Sequence, residues 1–215
     1  DMKVGEQVCG SDGRPCNVLK VVPRKNKEVY EITFSDGTKC ECGLEHLWKV
    51  RDSNMRLRKQ GWKTISLEKM LEIGLVYNSS VRTNPIPKFE IPVCEPVLYP
   101  QKEHLIHPYL LGIAIGDGHI TNGIIISIPD KEIETVDRLS KLIREDYKLH
   151  PNRSGVCPNY RIGKKTNNNS PNIYTREIKR LNLNVIGKNK FIPEEYKYDS
   201  VENRIELLRG LMDSD

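Results

Sequence analysis

The sequence predicts a multidomain chain in which an all-β part is followed by an α+β part, and three observations carry that reading. The first fifty residues are strand-like and broken by two Asp-Gly turns, "SDGR" at 11–14 and "SDGT" at 35–38. Residues 83–108 hold six of the thirteen prolines, which rules out a helix and marks a boundary. From 108 onward, helix-like and strand-like patterns alternate in the order helix, strand, strand, helix, strand, strand, helix, with a further helix at the end of the chain.

The elements follow in order. Asp-Gly supplies the positive φ that a tight hairpin needs, and "CNVLKVV" (16–22) and "EVYEITF" (28–34) are β-branched and aromatic with partial alternation. After "GLEHLWKV" (43–50) the chain becomes basic and irregular. "SLEKMLEIG" (66–74) predicts a short helix capped by Ser66 and stopped by Gly74. "HPYLLGIAIGD" is a short helix with Pro108 in its first turn. "HITNGIIISIPD" reads as two strands around the Asn122-Gly123 turn. Ile133, Val136, Leu139, Leu142, Ile143 and Tyr147 recur at helical steps, with Asp130 as the natural cap. Two strands are expected within "KLHPNRSGVCPNYRIG", then a polar loop, a helix through "IYTREIKRLNL", and a last helix through "SVENRIELLRGLMDSD". The predicted division is 1–82 (with a basic insertion from about 51), a Pro-rich connector 83–107, and 108–215.

Composition bounds the function. Hydrophobic residues make up 37% and charged residues 29%, as in a globular domain, and no apolar run is long enough to span a bilayer. With no targeting or membrane segment, a cytoplasmic location is expected. The six scattered cysteines read as reduced thiols, because a chain this large needs no disulfide staples. The net charge of +5 permits a polyanionic partner without demanding one, and the positive charge gathers in 51–69 and 153–165.

The chain writes a similar phrase twice, "LLGIAIGDG" at 110–118 and "LLRGLMDSD" at 207–215. Small residues at Gly112, Ala114 and Gly116, and at Gly210 and Ser214, would let two helices approach closely and bring Asp117 and Asp215 to one shared end. Paired carboxylates at close range favour a hard divalent cation between them. The same phrases also fit two ordinary helix ends, where Gly and Asp are common.

These phrases resemble the paired motifs of the LAGLIDADG (dodecapeptide) homing endonucleases, and the element order between them is similar to the first half of that α+β saddle fold. The resemblance implies a Mg2+-dependent DNA endonuclease. Its metal-binding and catalytic acids would be Asp117 and Asp215, with the inner acid, Asp213, structural. Ile115 stands where the family often has an acid. "KFIP" at 190–193 resembles the block that precedes the second motif in intein-embedded members, which implies a catalytic role for Lys190, with Lys188 as the neighbouring alternative. Four strands would form a saddle on double-stranded DNA. Arg153, Arg161, Lys164 and Lys165 would meet phosphates, and His119 and Asn122 would lie nearer the bases.

The first fifty residues resemble the Hint-type splicing domain of inteins. "SDGT" precedes a block ending in His46 of "GLEHLW", which implies that His46 polarises the scissile peptide at the N-terminal splice junction. Gly43 stands where the family usually has a hydroxyl or amide side chain. The chain opens on Asp1 and stops inside the second motif, so the splicing fold is expected to be incomplete, the chain is not expected to splice alone, and the nuclease activity is expected of the parent protein rather than of this half by itself. Implied partners are the intein-less host gene site and the host extein protein, with the parent endonuclease a pseudo-dimeric monomer and no membrane involved. The competing expectation is a non-catalytic LAGLIDADG-type DNA- or RNA-binding module, or a decayed intein fragment.

Overall fold

The structure, a computed structural model, describes residues 2–23, 26–77, 86–153, 155, 157–166 and 170–214. The chain divides into two compact units, Asp1–Glu95 and Pro96–Asp215.

The first unit is built from short antiparallel pairings. Strands β1 (Gln7–Cys9) and β2 (Pro15–Asn17) close over the first Asp-Gly turn, with Gly13 at φ 75°. β3 (Tyr30–Thr33) and β4 (Lys39–Cys42) close over the second, with Gly37 at φ 84°. There the Asp36 carboxylate accepts from the Thr38 amide (2.9 Å) and hydroxyl (2.7 Å), and these bonds lower its pKa. Leu19, Val21 and Val22, expected to continue a strand, lie outside β2 and are exposed. Strand propensity is realised only where a partner strand exists to pack against.

β5 (Leu47–Asp52) leads into the short helix α1 (Ser53–Leu57), which is followed by β6 (Lys63–Ser66) and α2 (Leu67–Ile73). The stretch expected to be irregular therefore contains a helix and a strand. Ser66 caps α2 by accepting from the Lys69 amide at 3.2 Å, and Gly74 ends it at φ 84°. β7 (Val76–Tyr77) pairs with β8 (Ile86–Pro87), and β9 (Phe89–Glu90) adds to β5, giving the order β6–β5–β9. Residues 86–95, within the Pro-rich stretch, thus belong to the first unit. Two-residue edge pairings tolerate proline where a central strand would not.

The second unit carries the main hydrophobic core. Helix α3 (Pro108–Gly116) is buried from Pro108 to Ala114, as an all-apolar helix must be. β10 (Ile125–Ser127), α4 (Ile133–Leu142), β11 (Tyr147–Asn152), β12 (Asn159–Lys164), α5 (Ile173–Arg180), α6 (Glu194–Lys197) and α7 (Val201–Met212) follow. Among the described residues the sheet is three-stranded, ordered β10–β12–β11 and antiparallel throughout. The expected fourth strand before Asn122-Gly123 is reduced to a single His119–Ile125 bridge, because α3 runs to Gly116 with Asp117 at its end and leaves only three residues ahead of the turn at 121–123. One sheet face presents Ile126, Tyr160, Ile162 and Tyr147 to the core.

Two details of the amphipathic helix differ from expectation. Asp130 opens a 3-10 turn (Asp130–Glu132) without capping α4, and its carboxylate faces Arg153 at 3.5 Å. Tyr147 is not on the helix, which ends at Leu142. It starts β11 and places its ring edge-on to Tyr174, with centroids 5.1 Å apart. The segment preceding α3 is fastened by Asp199. That carboxylate is fully buried and accepts from the amides of Lys102 (2.9 Å) and Ser200 (2.6 Å) and from Asn203 Nδ2 (2.9 Å). The His104 ring meets it at 2.5 Å and stacks on Tyr196.

Candidate active site

The site is built where α3 lies on α7. A Cβ on Gly112 would collide with the Leu207 carbonyl and lie 2.8 Å from the Leu211 amide nitrogen. A Cβ on Gly210 would collide with the Tyr109 carbonyl and lie 3.0 Å from the Ile113 amide nitrogen. One on Gly116 would run into the Ser214 side chain. Contacts therefore climb both helices together, from Tyr109 and Gly112 beside Leu207–Leu211 to Gly116 beside Ser214. The two helices run the same way, with backbones in contact, and their C-termini share one end.

Asp117 is the residue at the C-terminus of α3. Its side chain is exposed and makes no hydrogen bond among the described residues. Asp213 occupies the same place on α7, and its carboxylate accepts from the Tyr109 hydroxyl at 2.8 Å. The Arg138 guanidinium lies over the Tyr109 ring at 3.5 Å, reaches Asp213 at 3.8 Å, and pairs with Glu206 at 2.7 Å. Asp213 is thus tied down while Asp117 is not. Asp215 lies outside the described residues. Ile115 packs partly buried against the core.

Lys190 comes to this end from the turn after Gly187–Asn189. Its ammonium donates to the carbonyls of Ala114 (3.3 Å), Ile115 (3.0 Å), Gly116 (3.1 Å) and Gly118 (2.6 Å). These are the orphan acceptors at the end of α3, and a cation there also meets the negative end of the helix dipole. Burial pulls the Lys190 pKa below its ordinary value, and the Asp117 charge opposes that pull. Lys188 is exposed in the preceding 3-10 turn.

Beside this end lies a cavity of about 200 Å³, lined in part by Asp117, Asp213, Ser214, Ser127, Glu132 and Thr135. Two helix C-termini, each with an aspartate, concentrate negative potential here. Hard oxygen donors and that potential fit Mg2+ in kind. Among the described residues, however, no group of three His, Cys, Asp or Glu side chains is arranged to hold a metal.

The tether on Asp213 has a consequence at high pH. Burial, reinforced by the bond to Asp213, pushes the Tyr109 phenol up to about 12, against about 10 for a free tyrosine. The folded-state value is the higher one. The stability it contributes is therefore intact below pH 10 and is lost as pH rises from about 10 to 12. Tyr109→Phe is expected to cost about 1 kcal/mol at neutral pH and to flatten the alkaline fall relative to the parent. Denaturant unfolding of both proteins across that range measures the difference.

The other face of the sheet is polar. Arg161 sits exposed at its centre, opposite Ile125 on β10 and His150 on β11. Lys148, Ser127 and Asn159 share this face by register, and sequence reasoning missed them together with His150. Strand alternation carried the signal, but the expected residues were chosen by charge. The His150 ring lies against Gly163, where a Cβ would come within 2.7 Å of it. Lys164 has the opposite parity, and its ammonium donates to the Ser170 carbonyl and hydroxyl. Arg153 pairs with Asp130 at 3.5 Å, while Lys165 is exposed just beyond β12. His119 bonds Thr121 Oγ1 through Nε2 at 2.6 Å, and Asn122 is exposed in the turn.

In the first unit, His46 is exposed immediately before β5. Its ring meets Trp48 edge-on at 5.2 Å, and its amide donates to the Gly43 carbonyl.

No known family profile matches the chain. The chain is similar along its whole length to the replicative DNA helicase DnaB of Mycobacterium intracellulare, at 25% identity over 226 aligned residues. It spans about a third (34%) of that relative, and no helix among the described residues is long and apolar enough to cross a membrane.

Proposed function

We propose that the first unit is a Hint-type splicing fold and the second the first half of a LAGLIDADG endonuclease, the two forming an intein carried by a DnaB-type replicative helicase. The observation that carries this reading is the glycine-mediated parallel packing of α3 on α7. It brings Asp117, Lys190 and the end of α7 to one place. The likeness to a helicase along the whole chain supports the host assignment, because an intervening element travels inside its host's reading frame.

In this reading Asp117, with Asp215, would hold Mg2+, which supplies Lewis-acid stabilisation of the attacking and leaving oxygens of a phosphodiester. Asp117 is open to that role because its exposed carboxylate makes no hydrogen bond among the described residues and has only the charge of Lys190 nearby. Lys190, already cationic and fixed by four carbonyls, holds a positive charge beside the developing phosphorane and keeps the end of α3 from fraying. Arg161, Lys148 and His150 set the polar sheet face against the duplex, with phosphate contacts fixing register and base-edge contacts fixing sequence. His46, exposed at the head of β5, would polarise the splice-junction carbonyl in the first unit.

The test is incubation of the protein, together with whatever second endonuclease half its reading frame encodes, with duplexes tiling an uninterrupted DnaB-type gene, with Mg2+ or with EDTA. The expected result is a double-strand break at one site, with Mg2+ only. Tight binding without cleavage at any site would favour the binding-module reading. Absence of both binding and cleavage would overturn the endonuclease assignment.

A further inference from the structure

The excursion between β5 and β6 is the second feature of the chain that calls for a polyanion, and the proposed site does not use it. Residues 49–69 hold seven basic and two acidic residues, a net +5. The whole chain carries 34 basic and 29 acidic residues, also a net +5. All of the net positive charge therefore resides in these 21 residues, and the rest of the chain is neutral.

The local structure concentrates that charge at a tip. Most of the acids nearby are already committed, Glu68 in the first turn of α2 being the exception: Asp52 accepts from the Met55 amide at the start of α1 and lies 3.6 Å from Lys63. Glu90 holds Arg51 at 2.9 Å and Arg56 at 2.5 Å, and Lys69 pairs with Glu72. Arg58, Lys59 and Lys49 are exposed, with no acidic partner among the described residues. The pairing of Arg56 is a surface one, worth at most about 1 kcal/mol, so a phosphate could take the place of Glu90 at little cost.

Lys59 adds an independent sign. It is held at φ 54°, and the other two described non-glycine residues with positive φ are asparagines, which tolerate that region. A lysine there costs roughly 1 kcal/mol. The turn at Lys59 ends α1, with the Gln60 amide donating to the Met55 carbonyl at 2.8 Å, and it fixes the direction in which this exposed lysine leaves the backbone.

We propose that this tip, carried by Arg58 and Lys59 with Arg56 and Lys49 in support, is a non-sequence-specific contact for the phosphate backbone of duplex DNA. The inference extends the DNA-directed reading to the first unit. Duplex is favoured over single strand because the nearby aromatic, Trp62, already has the Arg51 guanidinium 4.5 Å over one face of its ring, where a base would otherwise stack. An anionic membrane is disfavoured, since α1 is only five residues long and Leu57 is the one large apolar side chain exposed at the tip.

The test uses the full chain in EDTA, so that cleavage plays no part, with a duplex of arbitrary sequence and binding measured against salt. Removing one phosphate-neutralising cation should reduce the slope of log affinity against log salt by about 0.9. The double variant Arg58→Gln, Lys59→Asn is therefore expected to give a slope shallower by about 2, equally on any sequence. A slope unchanged in this variant but shallower in Arg161→Gln would overturn the inference and leave the proposed function standing. A shallower slope in the tip variant, with no Mg2+-dependent cleavage by the parent, would uphold the inference while the nuclease reading fails. Loss of binding to anionic vesicles with duplex binding unaltered would also overturn it.

Discussion

Gly112→Ala is expected to destabilise the second unit by about 3 kcal/mol, at the upper end of overpacking costs. A methyl at this position meets the Leu207 carbonyl, the Leu211 amide nitrogen and the Gly210 carbonyl carbon, all of them backbone atoms of α7. Backbone cannot turn aside as a side chain can, so the two helices must separate. Separation would loosen the packing of Tyr109, Ile113 and Leu207, which are all but fully buried. Gly210→Ala should behave alike, because its new methyl meets Tyr109 and Ile113 backbone from the other side. Gly116→Ala is the graded comparison: rotation can move Ser214 Oγ aside but not Ser214 Cβ, 2.6 Å from the new methyl, so the end of α7 must shift and about 2 kcal/mol is expected. Gly61→Ala, with nothing within 4 Å of the new methyl, should be neutral or slightly stabilising. Thermal unfolding checks the series, with the Gly112→Ala midpoint falling by roughly 10 °C. A parent-like midpoint for Gly112→Ala would mean that the helices do not touch at this glycine.

The contrast among these glycines shows what the sequence could reveal. The repeated small-residue phrases announced close packing because a backbone-to-backbone contact leaves few residue types to choose from. The Asp-Gly turns at 12–13 and 36–37 and the Ser66 and Gly74 ends of α2 were legible for the same reason, since each is a local backbone requirement met by a few side chains. Features set by distant partners were not legible. Leu19, Val21 and Val22 carry strand propensity without a described strand to pair with. The Asn122-Gly123 turn forms, yet only one bridge precedes β10. Asp130 looks like a helix cap but answers Arg153 across the fold. In the candidate site, Lys190 was visible through a short block, whereas Tyr109 and Arg138, which tether Asp213, were not. That tether joins residues 104 positions apart, and no local pattern encodes it. Lys164 shows the limit of reading charge alone. Strand parity turns it away from the polar sheet face, and that parity follows from a register only the fold determines.

Asp117→Asn is expected to reduce Mg2+-dependent cleavage roughly 10³-fold or more while leaving the fold intact. The substitution is isosteric, and the carboxylate it replaces is exposed and makes no hydrogen bond among the described residues, so no buried partner is orphaned. It removes a negative charge from the negative end of α3, worth about 0.3–1 kcal/mol, and with it the charge that offsets the burial of the Lys190 ammonium, so the two effects oppose and stability should change little. A variant about as stable as the parent, inert in cleavage, and binding duplex as well as or better than the parent separates a metal ligand from a packing residue. Lys190 should give a different pattern. Lys190→Met deprives the carbonyls of Ala114, Ile115, Gly116 and Gly118 of a shared donor, so activity and about 2 kcal/mol of stability should fall together. Lys190→Arg keeps the charge and several donors, and should recover much of the stability but less of the activity, because a planar fork cannot reproduce three N–H groups converging from one nitrogen and shared among four carbonyls. If Asp117→Asn cleaved like the parent while Lys190→Met merely unfolded, the end of α3 would be a capped helix terminus and nothing more. The acid would then have no part in metal chemistry, and the polar sheet face and the basic tip would each remain a binding surface without nuclease activity.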